Sequence, residues 1–167
     1  PTISRRQRQM CIRDRVWHDY NPDKGEFKEE IIFEQTANGI YEKHFYISAY
    51  VNESEVRVFC KYAVKEGSKN VPGLLNVHGW MGGPAIDKGF VEDGWAVLAH
   101  DYSGINTRSH YTKYPLDLAH GHMEAKKMGH SLIYDRMPDG SQLTNPKATS
   151  HYLWLSLIHI SEPTRRT

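Results

Sequence analysis

The sequence predicts an α/β domain in which antiparallel lead-in strands give way to parallel strands joined by a crossover helix, and three observations carry that prediction. Leu74-Leu75-Asn76-Val77 is a short apolar run bounded by Pro72-Gly73 before it and by the glycine-rich bend Gly82-Gly83-Pro84 after it, the form of a buried strand between turns. Ala96-Val97-Leu98-Ala99 repeats that form, entered from Gly94 and left through Asp101-Tyr102-Ser103-Gly104. Between them, Ala85 to Asp93 is long enough for a short helix turning Ile86, Phe90 and Val91 toward a sheet. A strand, loop, helix, strand unit of this kind implies parallel pairing. Ligands of open parallel sheets bind beyond the carboxyl ends of the strands, where His78-Gly79-Trp80 and Asp101-Tyr102 both fall.

The two ends of the chain read differently from its middle. Met10-Cys11-Ile12-Arg13-Asp14-Arg15 is one reading of the DNA ATGTGTATAAGAGACAG, and Leu155-Ser156-Leu157-Ile158-His159-Ile160 is a reading of its reverse complement, CTGTCTCTTATACACAT. One inverted repeat can therefore encode both tails, as a transposon-end sequencing adapter read through in both directions would. Residues 1–15 and 155–167 are accordingly expected to be adapter-derived, non-native tails. Residues 16–154 are expected to be an incomplete domain, interrupted while still apolar at Tyr152-Leu153-Trp154. The alternative is a genuine basic arm and an amphipathic tail.

The tails decide the charge balance. The whole chain of 167 residues has 21 Lys plus Arg against 20 Asp plus Glu, a formal net charge of +1. Setting aside five arginines and one aspartate in 1–15, and two arginines and one glutamate in 155–167, leaves 14 against 18, a net of −4. A mildly acidic middle gives no electrostatic reason to expect nucleic acid or an anionic membrane as partner. No apolar stretch approaches the roughly 20 residues that span a bilayer. Cys60 is the only cysteine outside the tails, so no disulfide framework is expected and the compartment stays open between cytoplasm and export.

In chain order, Val16 to Lys28 is polar around the turn cluster Asn21-Pro22-Asp23-Lys24-Gly25 and reads as a surface lead-in. From Glu29 to Val64 the pattern alternates: Ile31 and Phe33, then Tyr41, Lys43, Phe45, Ile47, Ala49 and Val51 on one phase, then Val56, Val58 and Cys60 beyond the break at Asn52-Glu53-Ser54-Glu55. Two or three antiparallel strands fit it. Lys65 to Asn70 is a polar loop into the Leu74–Val77 strand. After Gly104, His110, His120, His122 and His130 are spread among tyrosines, and the stretch from Asp135 to Pro146 is turn-rich. Thr144 or Asn145 can cap a helix with Pro146 at its first position, and Ala148, His151, Tyr152 and Leu153 would begin its buried face.

Two readings compete at each candidate site. His78-Gly79-Trp80 is either a plain tight turn or a bend that aims the next backbone N–H at an oxyanion, with His78 bracing the loop rather than acting as general base. Asp101 is either a catalytic carboxylate or a holder of the loop that follows it, the latter being the commoner use of such a residue. His120-Gly121-His122 is a short chelating pair, but neither an HExxH motif nor a cysteine pair accompanies it, and no metal is expected. The glycines form neither GxGxxG nor a Walker loop, so no nucleotide cofactor is expected.

The segments Val71-Pro72-Gly73-Leu74-Leu75-Asn76-Val77-His78-Gly79-Trp80 and Gly94-Trp95-Ala96-Val97-Leu98-Ala99-His100-Asp101-Tyr102-Ser103-Gly104 resemble the third and fourth strands of α/β-hydrolases. The nearest branch is that of acetyl xylan esterases, dienelactone hydrolases and prolyl oligopeptidases, and the likeness covers Val56 to about Gly104. The resemblance implies that Trp80 supplies one oxyanion N–H, that His78 and Gly79 support its loop, and that Met81, Asp101, Tyr102 and Gly104 form the site rim. Trp80-Met81 stands where the family usually has small residues, so Trp80 would also line the acyl pocket. That family carries its nucleophile in G-x-S-x-G, with acid and histidine following. No such elbow occurs here, and the resemblance places the triad downstream of Trp154. It implies a serine hydrolase acting on a carboxylic ester, small or carbohydrate-borne, through an acyl-enzyme, the chain itself being inactive. A peptidase of the same branch and a non-catalytic or metal-binding protein using the histidine-rich stretch are the alternatives.

Overall fold

The computed structural model describes residues 20, 21, 24–26, 28–51, 53–79, 82–105, 108–115, 147 and 150–161, the last segment with side chains from 152 to 157. Five strands and two helices occupy this part of the chain: β1 (Glu29–Ala37), β2 (Ile40–Val51), β3 (Ser54–Lys65), β4 (Gly73–Val77), α1 (Lys88–Glu92), β5 (Ala96–His100) and α2 (Ser150–Ser161). They build one mixed sheet in the order β1-β2-β3-β5-β4.

The first three strands form an antiparallel meander. Its first turn is Asn38-Gly39, with both residues at positive φ (54° and 71°), the pairing that a tight hairpin between right-twisted strands requires. β5 joins β3 antiparallel, from Cys60 opposite His100 to Ala63 opposite Val97. β4 then pairs with β5 in parallel, from Gly73 opposite Ala96 to Val77 opposite His100. The β4, α1, β5 segment is therefore the expected strand, helix, strand unit. Asp87 caps α1 by accepting from the Gly89 N–H at 3.0 Å.

Two expectations of which residues face inward are corrected. Ile31 and Phe33, two residues apart, would share a face in a regular strand, but a bulge at Ile32 sets them opposite the consecutive residues Phe45 and His44. They therefore lie on opposite faces of β1, and both are largely exposed (48% and 39%). In α1 only Val91 is buried. Ile86 packs beneath it as expected, whereas Phe90 turns outward and meets Trp95 edge-on. A helix of five residues presents too narrow a face to bury two large side chains.

The larger core lies on one face of the sheet. Phe45, Ile47, Ala49 and Val51 of β2 and Val56, Val58 and Cys60 of β3 pack there with Tyr114 and with Tyr152, Leu153, Trp154 and Leu157 of α2. Tyr152 and Leu153 were expected on that helix's buried face; the expected cap at Thr144, Asn145 and Pro146 lies outside the described residues. α2 continues through Leu155 to Ser161, the segment in which adapter-derived sequence is expected, and Leu157 is fully buried. The lead-in does more than cover surface, because the Tyr20 hydroxyl donates to the Ser156 carbonyl at 2.6 Å and its ring meets Tyr152 edge-on. A smaller cluster of Ala63, Val91 and Val97 lies under α1. Among the described residues no helix is long and apolar enough to cross a membrane.

Candidate functional site

β4 and β5 run parallel and end side by side, so the loops leaving them emerge at the same edge of the sheet. His78 follows β4, and Asp101 and Tyr102 follow β5. The His78 ring lies flat on that of Tyr102, with centroids 4.3 Å apart and planes 7° from parallel. Its Nδ1 is 2.8 Å from the Gly79 carbonyl oxygen. Its Nε2, buried, sits 3.3 Å from Asp101 Oδ1 without the alignment of a hydrogen bond. Of the residues singled out in the sequence, His78, Gly79, Asp101 and Tyr102 are thus brought together, while Gly104 lies against Thr112 and Tyr114. Trp80, Met81, His120, His122 and His130 lie outside the described residues.

Asp101 is fully buried and its oxygens are taken up by the chain that follows it. Oδ1 accepts from the Ser103 N–H at 3.0 Å and the Ser103 hydroxyl at 2.7 Å, and Oδ2 accepts from the Thr112 N–H at 2.8 Å. The Thr112 hydroxyl donates to the Asp101 carbonyl and accepts from the Phe59 N–H at 3.0 Å, tying the loop to β3. Burial alone would push the Asp101 carboxyl up. The contact with His78 and the donors from Thr112 and Ser103 outweigh it and hold the group below the usual carboxylate range. These are the contacts of a loop anchor.

Serine, histidine and aspartate therefore meet here, but in the wrong sequence for nucleophilic catalysis. In a triad the serine gives its proton to the histidine and the carboxylate orients that histidine from behind. Here the Ser103 hydroxyl donates to Asp101, and Ser103 is 1% exposed. Cys60 and His100, opposite one another on β3 and β5, are fully buried as well. Burial pushes the Cys60 thiol up and lowers His100 to about 4, with His78 adding to the latter effect. The pair is a neutral thiol beside a neutral imidazole, the reverse of an activated cysteine. Among the described residues no group of three or more His, Cys, Asp and Glu could hold a metal ion.

Arg108 joins the two loops and was missed in the sequence. Its Nη2 donates to the Gly82 carbonyl at 2.5 Å and its Nη1 lies 3.8 Å from Asp101 Oδ1, so one guanidinium spans the β4 loop and the β5 loop. The available signal was its isolation: it is the sole arginine between Arg57 and Arg136, in the loop just beyond a candidate site strand. On the β4 side, the Gly82 N–H also donates to the Gly79 carbonyl at 2.9 Å. On the other side, the Tyr114 hydroxyl donates to the Tyr102 carbonyl at 2.6 Å. His78 and Tyr102 are thus braced from both loops, beside Trp154 of α2, whose ring is 5.4 Å from that of Tyr102.

No family model matches the chain, and no curated protein matches it. Among solved structures it is similar to an acetyl xylan esterase from Paenibacillus sp. R4, at 16% identity and a TM-score of 0.47, covering 69% of this chain and 38% of that one. It is also similar to acetyl xylan esterase 1 from Thermoanaerobacterium sp. JW/SL YS485, at 18% identity and a TM-score of 0.47, covering 75% of this chain and 46% of that one. The chain spans less than half the length of either.

Proposed function

We propose that this chain carries the oxyanion side of a serine-dependent carboxylic ester hydrolase, with the Trp80 backbone N–H as one donor and an acetyl ester, small or carbohydrate-borne, as substrate. One observation carries the reading: the loop that begins His78-Gly79 is fixed at the carboxyl end of a parallel strand by a stacked ring, a neighbouring carboxylate and an arginine, none of which is arranged as a nucleophile. Such bracing suits a backbone donor, which must be in place before charge develops on the substrate oxygen. The resemblance of residues 56–104 to the esterase branch supports the same assignment. His78 then acts by holding the loop, Asp101 by anchoring the opposite loop, and Tyr102 by presenting the face on which His78 rests.

The proposal requires a serine that this chain does not place in a G-x-S-x-G elbow. It follows that the 167-residue chain should hydrolyse p-nitrophenyl acetate no faster than a denatured control. Turnover abolished by a serine-directed phosphonate would reveal a nucleophile here and overturn the reading. The parent coding sequence, read beyond Trp154, should supply the elbow. In that longer protein, Trp80→Pro, which deletes the N–H, should lower kcat by about 100-fold or more, whereas Trp80→Phe, which keeps it, should chiefly change substrate preference. Equal and modest effects of the two substitutions would remove the backbone from the mechanism.

A further inference from the structure

On the sheet face opposite the larger core, between Gly83-Pro84 and residues 108–110, lies a cleft of about 490 Å³. Its floor is His44 of β2 with Phe59 and Lys61 of β3, and its walls are Gly83-Pro84 and the run from Arg108 to His110. We infer that this cleft binds the carboxylate of a ring-bearing organic acid, with Lys61 taking the charge and the exposed His110 ring taking the ring. The volume falls in the range of small organic ligands and is far larger than a bare ion needs.

Charge and lining select that ligand class. None of the lining residues is acidic. Glu42 Oε1 is 2.8 Å from His44 Nε2, and Asp101 lies 3.8 Å from Arg108 Nη1. The Arg108 charge is therefore shared with a buried carboxylate, while no acidic group pairs with Lys61 among the described residues. Lys61 thus offers a single charge to the cleft, which suits a monoanion better than a phosphate dianion. The side of the cleft is aromatic: Phe59 and His110 are 5.6 Å apart and tilted by 31°, His44 meets Phe59 edge-on at 6.2 Å, and Phe33 leans on His44 at 4.8 Å. His110, exposed and backed by the buried Phe59 ring, offers a flat face to a sugar or an aromatic ring with little loss of side-chain freedom. The cleft adjoins the candidate site, since Arg108 lines one and clamps the other, but the inference rests on the cleft alone and its test involves no hydrolysis.

The test is binding to the whole 167-residue chain in dilute solution, followed by ligand-observed saturation-transfer NMR. Four probes are titrated: sodium glucuronate with glucose, and sodium benzoate with benzamide. At least one acid should bind about tenfold or more tightly than its neutral counterpart, and the tighter acid identifies the ring as sugar or aromatic. Lys61→Met should weaken the acid about tenfold and leave the neutral probe unchanged, and Lys61→Arg should restore most of the loss. A second arm on the unsubstituted protein does not depend on any variant folding: raising sodium chloride should weaken the acid and spare the neutral probe, because the attraction lies at a partly open surface. The inference is overturned if acid and neutral probes bind alike, if neither acid binds, or if neither salt nor Lys61→Met alters acid binding.

Discussion

His100 and Asp101 are neighbours in the chain, both are fully buried, and burial disfavours the charged form of each. Their surroundings separate them. Asp101 receives three donors and stays ionised, while neither ring nitrogen of His100 has a hydrogen-bond partner among the described residues, so that side chain stays neutral. Both arrangements make the fold acid-labile, in different windows. His100 titrates at about 4 in the folded chain against an ordinary 6.5, so between those values the unfolded state binds a proton that the folded state does not. Stability should therefore fall as pH drops from 6.5 to 4, by at most about 3–4 kcal/mol from this residue. Asp101, depressed below 3.8, contributes stability that is present above that value and is lost only as pH falls through its folded value. Urea midpoints measured from pH 7 down to pH 4 should show the first slope in the native chain and lose it in His100→Leu. An unchanged slope in that variant would show that His100 is not the group responsible.

At the scale of elements, residues 101–105 and 108–114 are held as one piece, pinned by Asp101 at its start and by Thr112 and Tyr114 at its end. Gly104 is the point at which that piece folds back on itself. Its φ is +59°, and a Cβ there would stand 3.0 Å from both the Thr112 carbonyl oxygen and the Tyr114 ring. Gly39 also has positive φ (+71°) but open space around it. Gly39→Ala should thus cost about 1 kcal/mol for backbone conformation alone, and Gly104→Ala about 2–3 kcal/mol, since crowding adds to it. Equal losses in thermal unfolding would mean that the loop shifts freely. This piece also marks the limit of what the sequence revealed. The strands were legible because apolar runs and turn residues leave a local pattern, and so was the meeting of the two loops, which follows from strand direction. The role of Arg108 was not, because a guanidinium reaching a carbonyl at Gly82 leaves no periodicity. The phase of Ile31 and Phe33 was misread because one bulged residue reverses every later side chain without altering composition.

At the scale of the molecule, the sheet has two edges of unlike character, and the difference predicts how copies of the chain meet. β1 carries Glu29, Glu30 and Glu34 and is interrupted by its bulge, three charges and one irregularity of the kind that discourage pairing with another strand. β4 has neither. It is regular, consists of Gly73-Leu74-Leu75-Asn76-Val77, pairs with β5 on one side only, and leaves Val77 40% exposed. Its one polar side chain is used internally, the Asn76 amide donating to the Ala85 carbonyl at 3.0 Å. Among the described residues nothing pairs with the outer side of this strand, whose N–H and C=O groups form a ready template. The chain should accordingly self-associate as its concentration rises, through β4 rather than β1. Sedimentation velocity over a concentration series should show growing oligomers, and Val77→Lys, which sets a charge at the exposed end of the strand, should shift the series back toward monomer. In dilute solution the outward amides of Leu74 to Val77 should exchange with solvent faster than those of β2 and β3, which are paired on both sides. A concentration-independent monomer in which those β4 amides exchange as slowly as β3 would show that the edge is covered, and the self-association prediction would fail with it.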